Sequence, residues 1–395
     1  MTNFLNLLKK LDWIVVSVLI FLPTLLLWAA IWYSNKYSIT WREITLTVVT
    51  FYVLTITVGV AIHRLWSHAA FKMNKKLEFI FMLLSAATFQ GSVIAWASDH
   101  ENHHSFTDTD KDPHSPLKFK NRILGFIWSH IGWMMIEGKK EITKNTMARL
   151  GKNKMLVWQF KNYWQLAVFM NTVTPAFIGY LTIGGPQGAL AGLIFMGIGR
   201  ALQQQVTFLI NSITHFVGTK EYYNGSAGDI WWLFVILGGE NWHNFHHAFA
   251  NDYRNGCKWY HFDVHKWIIF LLSKMGLAWD LVSTPEERIQ AKVRYESNNI
   301  MKELQLKADE LLKEMSATAQ GIESILQLSG RIRDNISKKI LSFKAEVLYI
   351  QQKISNIKPS EISSLKILNK WKNDLSKLEQ EFFTVLNDKK LKVLA

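Results

Sequence analysis

The sequence predicts an all-α membrane protein with about four transmembrane helices, a cytosolic helical cap and a separate helical tail. Of its 395 residues, 49% are hydrophobic, and they include seventeen Trp and twenty-four Phe. A helix needs about 20 mostly apolar residues to cross a bilayer. The stretches that approach this requirement are residues 13–33, 43–62, 163–183 and 188–210. Nine of the thirteen histidines lie in short clusters beyond the ends of these stretches.

Lysine and arginine set the expected orientation, because cytoplasmic loops of membrane proteins carry the positive excess. The long connection 64–162 is rich in both residues, whereas the turn at 184–186 contains neither. The link between the first two stretches has only Lys36 and Arg42. We therefore expect both termini and every histidine cluster on the cytoplasmic side, with the bacterial cytoplasmic membrane as the location.

Segment 77–98 is apolar as well, but it runs directly into Asp99 and His100. A crossing there would place histidine clusters on opposite sides of the bilayer. We therefore expect this segment to lie against the membrane or partly within it.

The net charge of +14 has two interpretations, a nucleic-acid partner or a membrane surface. Basic cytoplasmic loops lie beside anionic lipid in membrane proteins, so we expect no nucleic-acid partner. The single cysteine, Cys257, excludes an internal disulfide and suits a reducing compartment.

Residues 286–395 differ in composition from the membrane domain predicted over 1–285. They are rich in Lys, Glu, Leu and Ile, with apolar residues at helical intervals. Pro359 and Ser360 predict a break between at least two long helices. We expect a helical hairpin or short coiled coil of unknown role.

The nine clustered histidines indicate metal binding. On an α-helix, residues three and four apart share a face, so each x-x-His-His motif points one way. His63 and His68 diverge by about 140° on a straight helix, so either they serve different metals or the helix ends there. Neutral imidazole binds iron, copper, nickel and zinc, and nine are too many for one ion. The predicted ligands are His63, His68, His100, His103, His104, His215, His243, His246 and His247.

The surroundings of these histidines favour a pair of irons. Structural zinc sites often include cysteine, and Cys257 lies outside the clusters. Carboxylate-rich di-iron bundles use Glu-x-x-His motifs, which do not account for these clusters. A histidine-dominated pair of metals beside apolar helices suits oxygen activation directed at a hydrocarbon. The isolated histidines are expected to pack or to cap helices; they are His114, His130, His261 and His265.

Several motifs together resemble one family, the membrane acyl-CoA delta-9 desaturases of the stearoyl-CoA desaturase type, in a bacterial-like form with an added C-terminal tail. The resemblance covers nearly all of residues 40–285. The segments that carry it are His63-Arg64-Leu65-Trp66-Ser67-His68, His100-Glu101-Asn102-His103-His104, Asn241-Trp242-His243-Asn244-Phe245-His246-His247, 112–116, 129–133 and 211–215.

This resemblance implies two iron ions held by the nine histidines, with Asn211 completing the site through water. It implies an oxygen-dependent reaction that removes two hydrogens from adjacent methylenes of a saturated acyl chain and leaves a cis double bond at delta-9. Two electrons would come from a separate ferredoxin or cytochrome with its reductase.

The resemblance also implies which residues shape the acyl-binding tunnel. Gln90, Trp96 and Thr207 match positions that bend the chain, although the residue pattern alone favours ordinary packing for Trp96. Thr47 and Phe51 lie one turn apart on the second span, in the region that closes the methyl end. We expect Phe51 to limit chain length.

Two positions depart from the family pattern near the expected entrance. Glu101 and Ser98 stand where relatives carry basic residues, which would attract the phosphates of CoA. Lys139, Lys140 and Arg122 could compensate, but the default expectation for them is that they are solvated loop charges. Both acyl-CoA and acyl-lipid therefore stay open as substrates.

Two other functions compete with desaturation. A membrane hydroxylase with the same kind of di-iron centre would share the first hydrogen abstraction. A non-catalytic membrane protein that binds or senses metal would use the tail as an interaction module and would need no acyl tunnel.

Overall fold

The computed structural model describes residues 9–136, 141–324 and 330–386, so Lys139 and Lys140 lie outside the described residues. The chain folds as two compact units. One unit comprises the chain up to Gly218 together with Gly225–Thr284, and the other comprises Thr219–Asn224 together with the chain from Pro285 onwards. Every histidine of the sequence lies in the first unit.

The described residues are almost entirely helical, as predicted, and two short antiparallel strands, β1 (Lys72–Met73) and β2 (Ala278–Trp279), pair with each other. In chain order the helices are α1 (Trp13–Lys36), α2 (Trp41–Ser67), α3 (Lys75–Ala87), α4 (Val93–Phe106), α5 (122–135), α6 (Lys144–Leu150), α7 (Lys154–Lys161), α8 (163–184), α9 (185–212), α10 (Phe234–Leu237), α11 (His243–Ala248), α12 (Val264–Lys274), α13 (Glu286–Ser324), α14 (Gly330–Asn356) and α15 (Lys366–Leu386).

Among the described residues, three helical stretches are long and apolar enough to cross a membrane: Trp13–Lys36, Trp41–Ser67 and Tyr163–His215. The third stretch reverses at Gly184 and Gly185, whose φ angles of 110° and 59° suit glycine. After the turn, α9 packs back on α8, and a Cβ on Gly192 would lie 1.9 Å from the carbonyl oxygen of Pro175. The four predicted spans each fall within one of these stretches, and the number of crossings remains a prediction.

The apolar segment 77–98 divides into α3 and α4 at the loop 88–92. Side chains from the neighbouring helices satisfy the polar backbone of this loop. The amide of Gln204 donates to the carbonyls of residues 88 and 89 (3.1 and 3.2 Å), and Tyr163 Oη accepts from the N–H of Gly91 (2.8 Å). Because unpaired backbone groups are costly in an apolar environment, these bonds allow an irregular loop to lie among the helices.

The second unit is built from three helices, where the sequence predicted a hairpin or short coiled coil. Each of α13, α14 and α15 packs on the other two, and a 3-10 turn at Pro359–Glu361 occupies the predicted break. Leu375 and Phe382 of α15 are buried in this bundle. The segment Thr219–Asn224 belongs to it as well, because Glu221 accepts a backbone hydrogen bond from Leu365 (3.1 Å).

Candidate metal centre

The nine histidines predicted from the motifs converge into two adjacent groups. Within each group the potential ligand atoms all lie within 4.8 Å of one another. The first group is His63, His68, His100, His104 and His246. The second group is His103, His215, His243 and His247.

Each x-x-His-His motif supplies both groups, although the sequence led us to expect its histidines to point one way. His100 and His104 of α4 join the first group, whereas His103 joins the second. In α11 the arrangement is reversed, with His246 in the first group and His243 in the second. Neighbouring residues of a helix diverge by about 100°, so a helix that lies between the two groups sends adjacent histidines to different sides.

His63 and His68 belong to the same group because the end of α2 is a π-helix over Thr57–Ser67. Its hydrogen bonds join residues five apart, as in the bond from the N–H of His68 to the carbonyl of His63 (3.1 Å). The two rings consequently lie 4.8 Å apart between centroids. The expectation that they serve different metals is therefore not met by this geometry. The helix does end at Ser67, as the other alternative proposed.

The spacing of the ring nitrogens fits a metal ion in each group. Two imidazole nitrogens that bind one ion at right angles, each about 2.1 Å from it, lie about 3.0 Å apart. The facing Nε2 pairs are His63–His246 (3.0 Å), His68–His100 (2.8 Å), His104–His246 (2.9 Å), His215–His243 (3.0 Å), His243–His247 (3.1 Å) and His103–His247 (3.3 Å).

Polar partners at Nδ1 fix the direction of three of these rings. Nδ1 of His63 lies 2.9 Å from Glu240, and Nδ1 of His103 lies 3.0 Å from Asp112. A carboxylate accepts a hydrogen bond from a nitrogen that carries a proton. Nδ1–H is therefore the donor, and the lone pair of Nε2 points into the group. Nδ1 of His215 lies 2.7 Å from the hydroxyl of Ser226. Lone pairs that face one another across 3 Å are the donor arrangement that a bound cation requires.

Burial keeps the histidines outside the apolar stretches neutral. Desolvation, followed by repulsion from neighbouring imidazoles, lowers the pKa of His100, His103 and His246 well below the usual value. The same causes lower the pKa of His104 to about 3. Neutral imidazole is the form that binds metals, so the groups are ready to accept ions at neutral pH.

Glu240 connects the first group to a buried ionic network that sequence analysis missed. Its oxygens lie 2.9 Å from Nδ1 of His63, 3.0 Å from Nδ1 of His265 and 3.1 Å from Nη2 of Arg64. Arg64 also pairs with Asp263 at 3.0 Å. Burial raises the pKa of Glu240, but His63 and Arg64 outweigh it and hold this pKa well below the usual value. The carboxylate is therefore ionised where it orients a ligand.

The four isolated histidines have separate roles in the structure. His130 bonds through both ring nitrogens to Ser212 and Gln205, and His261 stacks on Trp242 with centroids 3.7 Å apart. His265 is held by Glu240. His114 lies closer to the centre than expected, because it forms a third potential ligand group with His103 and Asp112.

Three of the predicted tunnel residues line a cavity of about 80 Å³ beside the histidines. Its walls include Gln90, Trp96 and Thr207, together with His100 and Asn211. Trp96 stacks on His100 with ring centroids 4.9 Å apart. A hydrogen-bonded chain runs from Gln90 through the amide of Gln203 to Thr207, with distances of 3.1 and 2.7 Å. These bonds fix the shape of the cavity wall.

The other two predicted tunnel residues lie away from this cavity, on α2. Thr47 donates to the carbonyl of Phe195 (3.0 Å), and the ring of Phe51 packs edge-on against Tyr52. Neither side chain lines the described cavities that contain histidines.

Glu101 and Ser98 form structural contacts between α4 and α6. Glu101 accepts from the hydroxyls of Thr143 and Thr146, and Ser98 accepts from the N–H of Thr143 (2.8 Å). Burial raises the pKa of Glu101, but the hydrogen bonds from these hydroxyls lower it by a larger amount together, so the net shift of the pKa is downward. The two positions that depart from the family pattern therefore anchor the start of α6.

Fold and site together define a class: a helical protein with membrane-length apolar helices and two adjacent histidine groups suited to metal ions. Comparisons with known proteins agree with this class. The sequence profile of the fatty acid desaturase family matches residues 39–278. The chain belongs to the fatty acid desaturase family, whose members are oxidoreductases.

Individual relatives confirm the resemblance to delta-9 desaturases. The chain is 34% identical over 264 residues to Delta-9 acyl-lipid desaturase 1 of Arabidopsis thaliana, covering 65% of this chain and 82% of that protein. It is 35% identical over 251 residues to the probable acyl-CoA desaturase of Schizosaccharomyces pombe, covering 63% of this chain and 50% of that protein. Acyl-CoA desaturase 1 of Saccharomyces cerevisiae is 34% identical over 254 residues, with coverages of 63% and 48%. The chain thus spans about half the length of the two yeast relatives.

Proposed function

We propose that this protein is an oxygen-dependent fatty acyl desaturase that introduces a cis double bond at delta-9 of a saturated chain. One observation carries the proposal: two histidine groups suited to metals adjoin a cavity walled by Trp96, Thr207 and Asn211. One hydrogen leaves each of two adjacent methylenes. With one dioxygen, two external electrons and two protons, the reaction yields two water molecules.

The nine histidines would hold two iron ions, with Asn211 acting through water, and iron bound there would supply the redox chemistry that reduces dioxygen. The remaining side chains position the substrate. The stack of Trp96 on His100 and the chain from Gln90 to Thr207 give the cavity a fixed wall. Because the site of oxidation depends on which methylenes face the metals, this wall determines where the double bond forms.

Partners and location follow from the family and the charge distribution. A separate ferredoxin or cytochrome with its reductase would deliver the electrons. The basic connection 64–162 supports a cytoplasmic site, and the proposed location is a bacterial cytoplasmic membrane that the chain crosses several times. We propose either acyl-CoA or acyl-lipid as the substrate, since one relative is named an acyl-lipid desaturase and two are named acyl-CoA desaturases.

We further propose that Phe51 and Thr47 lie toward the methyl end of the bound chain and that Phe51 limits its length. Phe51→Ala should then shift the products toward longer chains. Tyr52→Ala is the matched control, because Tyr52 is the adjacent, exposed aromatic residue of α2. An unchanged chain-length profile for Phe51→Ala would remove Phe51 from the proposal.

Expression in a host that lacks its own desaturase tests the function. Fatty acids would be separated by chromatography, and mass spectrometry would locate any double bond. His246→Ala and His103→Ala each remove one ligand, from the first and second group respectively. Both should abolish the double bond while the variants still insert into the membrane. Products with an added oxygen would indicate a hydroxylase, and metal binding without lipid conversion would indicate a non-catalytic protein.

A further inference from the structure

A second cavity lies between α2, α3, α8 and α9 and shares no lining residue with the described cavities at the histidines. Its volume is about 380 Å³, which is within the range of small-molecule sites, about 300–1,000 Å³. Leu46, Val53, Met170 and Ile178 form part of its mostly apolar wall. A polar wall residue, Asn171, is bonded to the carbonyl of residue 167 in its own helix.

One cation lies in the wall of this cavity. Arg200 is on α9, and only 2% of its surface is exposed. Its Nη1 donates to Gln204 (3.1 Å), and its guanidinium lies 5.6 Å from the centre of the Phe89 ring. Within the described part of the chain, Nε of Arg200 has no hydrogen-bond partner and no carboxylate pairs with the guanidinium. Among the described residues, the charge contacts a neutral amide and a ring, and Tyr163 is a further polar neighbour.

Such a charge is costly in this position. Ionisable side chains within apolar spanning helices are rare and mark binding sites or charge partners. Gln204 does not neutralise Arg200, because its amide carries no charge, and its nitrogen donates to the carbonyls of the loop 88–92. A bound anion would compensate the buried charge, and the planar guanidinium suits a carboxylate, which it can hold through two parallel bonds.

We propose that this cavity binds a long-chain fatty acid, with the carboxylate on Arg200 and the hydrocarbon chain along α2 and α8. The wall contributed by α2 runs from Thr45 to Leu54, about 14 Å at 1.5 Å per residue, so a chain can lie lengthwise. Val49 and Val53 are half-exposed, so the cavity opens on the side that lipid would cover.

The chemistry of the cavity separates a fatty acid from other lipids. A phospholipid headgroup brings a glycerol backbone and further polar groups, and this mostly apolar wall offers them few partners. The substrate of the proposed desaturase is a thioester or an ester, which has no free carboxylate for Arg200. The site is therefore distinct from substrate binding and does not depend on the proposed activity.

Photolabelling of the full-length protein in detergent tests the proposal. The probes are palmitate with a diazirine near its methyl end and the fatty alcohol of the same length and label. We expect palmitate to label residues 170–182, which lie apart from the Thr47 and Phe51 positions proposed for the substrate chain, and the alcohol to label them at least tenfold less. Arg200→Gln should reduce palmitate labelling to the level of the alcohol, and Arg200→Lys should restore part of it. Arg42→Gln, which changes an exposed arginine of α2, should have no effect.

A second variant keeps the test decisive if Arg200→Gln does not fold. Val49→Trp places a large ring in the open side of the cavity and leaves Arg200 unchanged. It should lower palmitate labelling and abolish any rise in melting temperature that palmitate produces. Equal labelling by acid and alcohol, labels confined to the cavity of Trp96 and Thr207, or stronger competition by phosphatidylglycerol than by unlabelled palmitate would each overturn the proposal.

Discussion

Replacement of Glu240 by glutamine tests how the protein controls its candidate metal centre. Glu240 is 3% exposed and accepts a hydrogen bond from Nδ1–H of His63 at 2.9 Å. Its second oxygen bonds to Arg64 and His265. Glutamine keeps the size of the side chain but removes the negative charge and one acceptor oxygen. In this variant, His63 loses the partner that directs its Nε2 lone pair toward the first group.

The expected magnitude follows from these contacts. Loss of a polar partner behind a metal-bound histidine lowers metal affinity by about 10–100-fold, which equals about 1.4–2.7 kcal/mol at 25 °C. Arg64 loses one of two carboxylate partners and keeps Asp263. Breaking a buried pair costs about 3–5 kcal/mol when an unpaired charge remains. We therefore expect Glu240→Gln to stay below this range in lost stability, and to lose iron from the first group.

The assay is iron content after loading with ferrous salt, followed by titration with a chelator of known affinity. Glu43→Gln is the matched control, because Glu43 is a buried glutamate that caps the distant end of α2. That control should melt earlier, since a helix cap contributes about 1 kcal/mol, and should bind iron normally. If Glu240→Gln held iron as tightly as the control, the carboxylate would not be what directs the Nε2 lone pair of His63 toward the first group.

Three further predictions concern the same centre. Asp112→Asn should weaken iron binding in the second group alone, because Asp112 holds Nδ1 of His103 (3.0 Å); iron content near one per chain would agree, and a full pair would contradict it. Gly59→Ala should cost about 1–3 kcal/mol by overpacking, since the new Cβ would lie 2.1 Å from the His265 ring; an unchanged melting temperature would show that the ring moves freely. Metal-free protein should lose stability as the pH falls from 6.5 toward 3. The buried His104, whose pKa is about 3, stays neutral in that range while the unfolded chain takes up a proton. Each such histidine contributes up to about 1.4 kcal/mol per pH unit, and a melting temperature that is flat between pH 6.5 and 4.5 would oppose this.

The sequence predicted which histidines come together but not their partition between the two groups. Motif spacing placed nine histidines at one centre, because x-x-His-His on a helix concentrates imidazoles on a face. The partition depends on where α4 and α11 lie relative to both groups, and that position is set by packing over the whole unit. The relation of His63 to His68 stayed open between two alternatives for a local reason, since residue spacing alone does not distinguish a π-helix from an α-helix.

The carboxylates behind the ligands were missed because their roles are defined only by three-dimensional proximity. Asp112 lies within a motif that supported the resemblance, yet its position next to His103 depends on the loop after α4. Glu240 directly precedes the third histidine motif, in a stretch that is otherwise apolar and rich in glycine. An acidic residue in that setting is the signal available to sequence analysis, because a lone buried charge requires partners.

The apolar pattern predicted helices and their positions, but the pattern is less informative about what joins them. The turn at Gly184 and Gly185 followed from a break in the sequence, whereas the division of segment 77–98 into two helices was not predicted. The hydrogen bonds that Gln204 and Tyr163 form with backbone groups of the loop 88–92 were not predictable, since each bond joins segments more than seventy residues apart. The tail has a third helix in contact with the other two, because α13, α14 and α15 all carry apolar faces.

The two groups differ in how firmly their carboxylates are tied to the fold. Glu240 is linked through Arg64 to Asp263, which caps α12 by accepting the N–H of Lys266 (2.9 Å). Asp112 lies on the loop after α4, and apart from His103 it accepts the backbone N–H of His114 (3.1 Å). A ligand held through a buried ion network has less freedom than one held by a loop, so the first group is the more preorganised of the two. Iron should consequently leave the second group first, and the two ions should differ in affinity although nearly all of their proposed ligands are imidazoles.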